Sequence, residues 1–105
     1  MFVSMNCVTV APEQAEAFEQ AFLSRERHMG EAPGFVRFQL LRPLGEDDRE
    51  YLVVTEWESE QAFRDWLSSD LFKKAHRGDG QRSFGGPSKL RTFEIIDTEQ
   101  PAATA

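Results

Sequence analysis

The first strand-like segment, residues 2–10, is apolar on both of the faces that a β-strand presents. Successive side chains of a strand point to opposite faces. One face carries Val3, Met5 and Cys7, and the other carries Ser4, Asn6, Val8 and Val10. A strand with two apolar faces needs a covering layer on each side. We therefore expect one face to lie beneath the chain's own helices and the other to meet a partner subunit.

The composition fits one aromatic-rich domain. The 105 residues suit a single core, to which nine Phe and two Trp supply large apolar areas. The net charge of -6 argues against general binding of nucleic acids or anionic membranes, which require a cationic surface. The single cysteine, Cys7, excludes an internal disulfide, and the N-terminus lacks the features of a secretory signal. A cytoplasmic location is expected.

Residues 12 to about 29 show helical spacing, with Ala15, Phe18, Phe22 and Arg25 along one stripe. Arg25 extends an otherwise apolar stripe. Its stem could lie along the core edge with the guanidinium in water, or the guanidinium could reach a buried anion. Gly30 and the pair Pro33-Gly34 predict the end of this helix and a turn into a second strand, residues 35–42.

The middle of the chain predicts a hairpin followed by a second helix. Residues 44–49 are polar and contain Gly45, which suits a turn leading into a third strand at residues 51–57. Ser59 is expected to cap a helix whose apolar face carries Ala62, Phe63, Trp66 and Leu67.

Ser68-Ser69-Asp70 should interrupt that helix and cap a second short one that ends at His76. Its apolar stripe includes Phe72 and places His76 on the inward side. A glycine-rich connection over residues 78–88 then leads to a last strand at residues 90–96. The domain is expected to span residues 1–97, and residues 98–105 are expected to form a disordered tail.

The resulting order is β-α-β-β-α-β, which predicts an α+β, ferredoxin-like fold with an antiparallel sheet and helices on one face. The pattern from Asp65 through Trp66, Asp70 and Phe72 to His76, read together with Asn6, resembles the IsdG-type heme-degrading monooxygenases. These belong to the antibiotic-biosynthesis-monooxygenase superfamily, and the resemblance runs from about residue 4 to residue 96. It implies the same fold and a homodimer whose two sheets pack into an α/β barrel.

The resemblance also implies a role for each candidate site residue. His76 would coordinate heme iron, Asn6 would donate a hydrogen bond to the oxygen species bound there, and Trp66 would distort the porphyrin. Phe22 and Phe72 would line the pocket, and Arg25 would meet a propionate. Heme would be both substrate and cofactor, cleaved with O2 and with electrons from an external reductase, because the chain has no dinucleotide or flavin motif.

Each of these residues also has a purely structural interpretation. His76 could be a favourable partner for a helix C-terminus, Asn6 could belong to a buried hydrogen-bond network, and Trp66 could be core packing. The other histidine, His28, lies off the stripe of Phe18 and Phe22 and is expected at the surface. Four cations near His76 could hold an anionic ligand or form a solvated helix face; they are Lys73, Lys74, Arg77 and Arg82.

Two other functions remain open on the sequence. One is cofactor-free oxygenation of a quinol or a polyketide phenol in the same cavity, and the other is heme binding without turnover. Hydrolase and nucleotide-dependent chemistry have no support, because no matching motif occurs in the chain.

Overall fold

The computed structural model describes residues 1–70, 72 and 88–102. Four strands are present: β1 (Phe2–Thr9), β2 (Phe35–Leu41), β3 (Glu50–Trp57) and β4 (Ser88–Glu94). The two α-helices are α1 (Ala15–Leu23) and α2 (Glu60–Leu67), and short 3-10 turns occupy Pro12–Gln14 and Met29–Glu31. Within this part of the chain, no helix has the length and apolar character needed to cross a membrane.

The strands form one antiparallel sheet in the order β2-β3-β1-β4. Strand β1 therefore lies inside the sheet, with Asn6 opposite Val53 on one side and opposite Leu90 on the other. Each helix connects two strands that are consecutive along the chain but not adjacent in the sheet, which is the ferredoxin-like arrangement. The predicted fold class is confirmed.

Helix α1 is shorter than predicted: it ends at Leu23, whereas the sequence pattern extends to about Met29. The Ser24 hydroxyl donates a hydrogen bond of 2.6 Å to the Gln20 carbonyl, a local bond that competes with continuation of the helix. Residues 24–28 therefore follow α1 without regular secondary structure. Arg25, predicted to extend the helical stripe, lies in this irregular segment.

The predicted caps and turns of the second half are present. The backbone N–H of Ala62 donates to the Ser59 hydroxyl over 3.1 Å, which caps α2, and the N–H of Phe72 donates to the Ser69 hydroxyl in the same way. Gly34 has a φ of 82°, and a Cβ added there would come within 2.6 Å of the Ala62 Cβ. Only glycine meets both constraints, so the turn before β2 fixes α2 closely against the sheet.

The helix-facing side of the sheet carries two clusters of buried side chains. The first joins α1 to the sheet and contains Val10, Phe18, Phe22 and Tyr51. The second joins α2 to the sheet and contains Ala32, Trp57, Phe63 and Trp66.

A short hydrogen-bond network satisfies the buried polar groups near the second cluster. The Trp57 indole N–H donates to the Thr55 hydroxyl over 2.8 Å, and this hydroxyl lies 3.0 Å from that of Ser4. Because an indole N–H is a donor without acceptor capacity, the threonine oxygen gives Trp57 a partner in a place that excludes water. Ser4 and Asn6 share a face of β1, so the network borders the space beside Asn6.

The opposite face of the sheet has an apolar centre, as the pattern of β1 predicts, and it also carries Arg37, Gln39, Glu56, Lys89 and Arg91. Met5 lies opposite Val54 and Cys7 lies opposite Leu52. On neighbouring strands, Leu41 and Phe93 expose 40% and 38% of their surface, respectively. This face, defined here by Val3, Met5, Leu41, Leu52, Val54 and Phe93, is the outer face of the sheet.

Candidate functional site

A cavity of about 410 Å³ lies between the helix-facing side of the sheet and the segment that follows α1. Strands β1, β2 and β3 form its floor, the end of α1 contributes Phe22, and residues 25–30 form one wall. Its described lining consists of Asn6, Val8, Phe22, Arg25, Glu26, Arg27, His28, Met29, Gly30, Phe35, Phe38 and Val53. The strands thus supply mostly apolar groups, and the irregular wall supplies the charges.

Asn6 provides a polar group on the apolar floor of the cavity. Val8 on the same strand and Val53, directly opposite Asn6 on the neighbouring strand, line the cavity beside it. Among the described residues, its side-chain amide has no hydrogen-bond partner, so the structural network considered for Asn6 is not formed by that part of the chain. An amide donor in this position is available to a molecule in the cavity.

Aromatic rings form one side of the cavity. The rings of Phe22 and Phe38 are nearly parallel, with centroids 6.1 Å apart. The Arg25 guanidinium lies over the Phe38 ring, 4.1 Å from its centroid, and donates a 2.6 Å hydrogen bond to the Phe22 carbonyl. Cation-π contact and this hydrogen bond therefore hold the guanidinium at the cavity edge.

Burial lowers the pKa of Arg25 from its usual value, and the nearby charge of Arg27 lowers it further. No carboxylate pairs with Arg25 in the described part of the chain. A partly desolvated guanidinium with no such partner favours an incoming anion, because the cost of desolvating the cation has already been met. The described contacts hold the guanidinium at the cavity edge, and its contact with an anion stays a prediction.

The expectation that His28 lies at the surface is wrong. Its side chain is only 14% exposed and lines the cavity. The reason is the early end of α1: beyond Leu23 the helical periodicity no longer applies, and the chain bends so that His28 faces inward. Its Nε2 atom lies 2.7 Å from Glu26 Oε2, and its Nδ1 atom lies 3.4 Å from Glu31 Oε2.

Trp66 and Phe72 are not among the described lining residues. Trp66 is 4% exposed and belongs to the second buried cluster, where its ring centroid lies 6.1 Å from that of Trp57. The Phe72 ring meets the Trp66 ring edge to face at 5.7 Å. The pair joins the end of α2 to Phe72 beyond the turn that follows it.

His76 and the four nearby cations lie outside the described residues, so its assignment as an iron ligand stays a prediction. Asn6, Phe22 and Arg25 are brought together around one cavity. Sequence reasoning missed Phe38, Met29 and His28 as lining residues. The alternation of β2 could have identified Phe38, whereas no periodic signal marks residues in an irregular segment.

Comparison with known proteins assigns the chain to a family. The family described as antibiotic biosynthesis monooxygenase matches residues 1–78, and the chain belongs to it. It is 34% identical over 94 residues to a heme oxygenase (mycobilin-producing) of Mycobacterium tuberculosis, covering 90% of this chain and 88% of the relative. The resemblance drawn from the sequence is confirmed.

Two solved structures are similar to the chain in both fold and sequence. The heme-degrader MhuD of Mycobacterium tuberculosis, with two hemes bound in its active site, gives a TM-score of 0.81 at 31% identity, over 95% of this chain and all (100%) of that one. SnoaB, a cofactor-independent oxygenase of Streptomyces nogalater, gives a TM-score of 0.71 at 29% identity, over 92% and 94% of the two chains. One fold therefore serves chemistry with and without heme, and the residues of the site must determine which of the two chemistries a protein performs.

Proposed function

We propose that this protein is a heme-degrading monooxygenase that binds heme in the described cavity and opens the porphyrin ring with O2 and external electrons. The observation that supports this most is the 34% identity to a heme oxygenase across 90% of the chain. The nearly complete structural overlap with a heme-degrader supports it independently of the sequence alignment.

The residues around the cavity fit heme. Heme is a flat, largely apolar macrocycle with two acidic side groups, and it needs apolar walls and a cation at one edge. Phe22 and Phe38 offer apolar ring surfaces, and Arg25 offers a guanidinium without a carboxylate partner among the described residues. Arginine suits a carboxylate because its planar donors match the two oxygens.

Each site residue has a defined task in this proposal. His76 would hold the heme iron through an imidazole nitrogen, and Arg25 would bind a propionate. Asn6 would donate a hydrogen bond to the oxygen species that heme activates, and its position on the cavity floor supports this role. Phe22 would exclude water from the ring. Trp66 packs against Phe72 in the second cluster and is not among the described lining residues, so its contact with the macrocycle stays a prediction of the family resemblance.

When bound, heme supplies the iron chemistry that activates O2 and is also the ring that is opened. The chain's own contribution is to orient the ring, keep water away and place a donor at Asn6. The proposal includes a cytoplasmic homodimer in which the outer faces of two sheets pack together, and a reductase as electron donor. The apolar outer face of this chain supports the dimer.

The experiment is a titration with ferric heme followed by ascorbate in air, with catalase present to remove free peroxide. If the protein degrades bound heme, the Soret band should form on titration and disappear after ascorbate is added, with release of iron. A Soret band that persists would identify a heme-binding protein without turnover. Failure to bind heme would favour the cofactor-free oxygenation to which the similarity with SnoaB points.

A further inference from the structure

The side chain of Arg25 is fixed both at its base and at its head. At the base, the backbone N–H of Arg25 donates to the Phe22 carbonyl over 3.3 Å, which ties the residue to the end of α1. At the head, the guanidinium donates to the same carbonyl over 2.6 Å and lies 4.1 Å from the centroid of the Phe38 ring. Among the described residues, Phe38 is the one side chain with which the guanidinium makes a hydrogen bond, ion pair or ring contact.

The Phe38 ring is itself held from two directions. Phe38 belongs to β2 and lies opposite Thr55 of β3, so the hydrogen bonds of the sheet fix its backbone. Its ring is nearly parallel to that of Phe22, which is buried in the first cluster. Because the interior of a protein is closely packed, the ring cannot turn away from the guanidinium without disturbing this cluster.

The charge distribution of an aromatic ring explains how Phe38 can set the position of a cation. The face of the ring carries partial negative charge, and it attracts a guanidinium within about 6 Å of the ring centroid. A leucine at position 38 would offer apolar contact without this attraction. The Arg25 side chain is half-buried, so water screens the attraction less than it would at an open surface.

The arrangement leaves the guanidinium able to bind a carboxylate. It has five N–H donors, and the Phe22 carbonyl takes one of them in the described contacts. A long side chain that is already held loses less conformational freedom when a ligand binds. The other arginine of the wall, Arg27, is exposed and more strongly screened. Arg25 is therefore the arginine with a fixed position at the edge of a mostly apolar cavity.

We propose that Phe38 is a positioning residue that holds the Arg25 guanidinium at the cavity edge and so makes the cavity prefer a ligand with a carboxylate over a neutral ligand of the same shape. Without the ring, the guanidinium turns into solvent, and the carboxylate loses its partner while the apolar contacts with the ligand remain. This inference rests on the proposed function and deepens it, since it assigns the residue that sets the ligand preference of the same cavity.

The first test needs no ligand. NMR spectra of the wild type give the side-chain signals of each arginine, and Arg25→Lys identifies those of Arg25 by their loss. Protons above an aromatic ring are shifted upfield by its ring current, so we expect the Arg25 side-chain signals upfield of those of exposed Arg27. The shift should shrink in Phe38→Leu and persist in Phe38→Tyr. Wild-type Arg25 signals at the positions of an exposed arginine would overturn the proposal.

The second test compares ferric heme with its dimethyl ester, which has the same ring without the two carboxylates. Both Kd values are measured in the same solvent, and the ratio of the ester Kd to the heme Kd gives the preference for the acid. In Phe38→Leu this ratio should fall roughly threefold to tenfold, the factor expected for loss of a cation-π contact. Phe38→Tyr keeps the ring face and should keep the wild-type ratio.

A double-variant cycle shows whether Phe38 acts through Arg25. Arg25→Met should lower the ratio at least as far as Phe38→Leu does. Adding Phe38→Leu to Arg25→Met should lower the ratio no further, because residues that act through one another have non-additive effects. A further fall of the same size in the double variant would contradict the role of Phe38.

Phe35→Leu is the matched control. Phe35 lies on the same strand and lines the cavity, but its ring packs edge to face against Trp57, with centroids 5.3 Å apart. Its replacement should weaken the binding of both ligands alike and leave their ratio at the wild-type value. If Phe38→Leu also weakens both ligands alike, Phe38 only lines the cavity and the proposal is wrong.

The two tests separate this inference from the proposed function. If the wild type binds neither ligand, the proposed function fails, and the NMR measurement still decides whether Phe38 holds Arg25. If heme binds and is degraded while neither the ratio nor the Arg25 signals depend on Phe38, the inference fails and the proposed function stands.

Discussion

At the scale of single residues, the cavity combines a few polar groups with apolar surroundings. Asn6 is the clearest example, because its amide lies on an apolar floor with no hydrogen-bond partner among the described residues. Asparagine is depleted in β-strands, so its presence at this strand position favours a role for its side chain. The sequence indicated the residue type and the face, and the three-dimensional arrangement adds that Phe22 and Arg25 lie around the same cavity.

Replacing Asn6 with alanine should affect turnover more than binding. The amide would strengthen its hydrogen bond as charge develops on oxygen during the reaction, so its loss should slow heme degradation by roughly 100-fold while heme still binds. The measurements are a heme titration and single-turnover decay of the Soret band. Thr9→Ala, on the same strand but outside the described lining, is the matched control. An unchanged decay rate in Asn6→Ala would exclude this role.

Trp66 requires a substitution that separates packing from chemistry. Trp66→Ala would leave a void in the second cluster and cost about 3–5 kcal/mol, so any loss of activity could reflect unfolding. Trp66→Phe retains most of the apolar contact with Trp57 and Phe72 but shortens the group. We expect heme binding to survive and the cleavage rate or product pattern to change. If spectrum, rate and products all equal those of the wild type, Trp66 is core packing alone.

At the scale of helices and strands, the order of elements could be read from the sequence because each apolar pattern has its own period. The end of α1 could not be read from the sequence, since Arg25 continues the helical spacing beyond the point where the Ser24 hydroxyl bonds to the Gln20 carbonyl. The placement of His28 was missed for the same reason. An irregular segment is also fixed by contacts distant in sequence, here that of Arg25 with Phe38 on β2, and periodicity carries no information about such contacts.

One polar cluster, whose residues are not among the described cavity lining, ties α1 to the sheet. Glu19 accepts hydrogen bonds from Arg42, just beyond β2, and from the Tyr51 hydroxyl on β3. The bond from Arg42 is the main cause that lowers the pKa of Glu19 from 4.5 to about 2, with a further contribution from Tyr51. The cluster thus connects three elements through one carboxylate.

This cluster should make the thermal stability of the protein depend on pH in the acidic range. A carboxylate with a lowered folded-state pKa stabilises the fold above its unfolded value of 4.5, and that contribution is lost as the pH falls toward about 2. We expect Glu19→Gln to lower the melting temperature at pH 7, with the difference from the wild type shrinking between pH 4.5 and pH 2. Glu16→Gln, on the same helix, is the control. A difference that stays constant over this range would exclude the Glu19 carboxylate as its source.

At the scale of the whole molecule, the sheet has apolar groups on both faces, and only one is covered by the chain's described helices. The outer face remains partly exposed at Leu41 and Phe93. The pattern of β1 was enough to predict a second covering layer, because alternation assigns Met5 and Cys7 to that side. Association through this face would bury apolar area that a monomer leaves in water.

We therefore expect the protein to have twice the mass of one chain by light scattering at micromolar concentration. Val54→Lys places a charge at the centre of the outer face, opposite Met5, and should shift the mass toward that of a single chain. Gln61→Lys, at an exposed position of α2, is the control for added charge. A wild-type protein with the mass of one chain would contradict the proposed dimer.

Opening of the heme ring is the central claim, and a single turnover under labelled oxygen tests it most directly. Protein loaded with one equivalent of ferric heme is given reductant and ¹⁸O₂ with catalase present, and His76→Ala is treated in parallel. The wild type should yield free iron and a ring-opened tetrapyrrole that carries ¹⁸O by mass spectrometry, while His76→Ala should lose the ordered ferric spectrum and yield little product. Recovery of intact heme from the wild type, with no label incorporated, would contradict the claim.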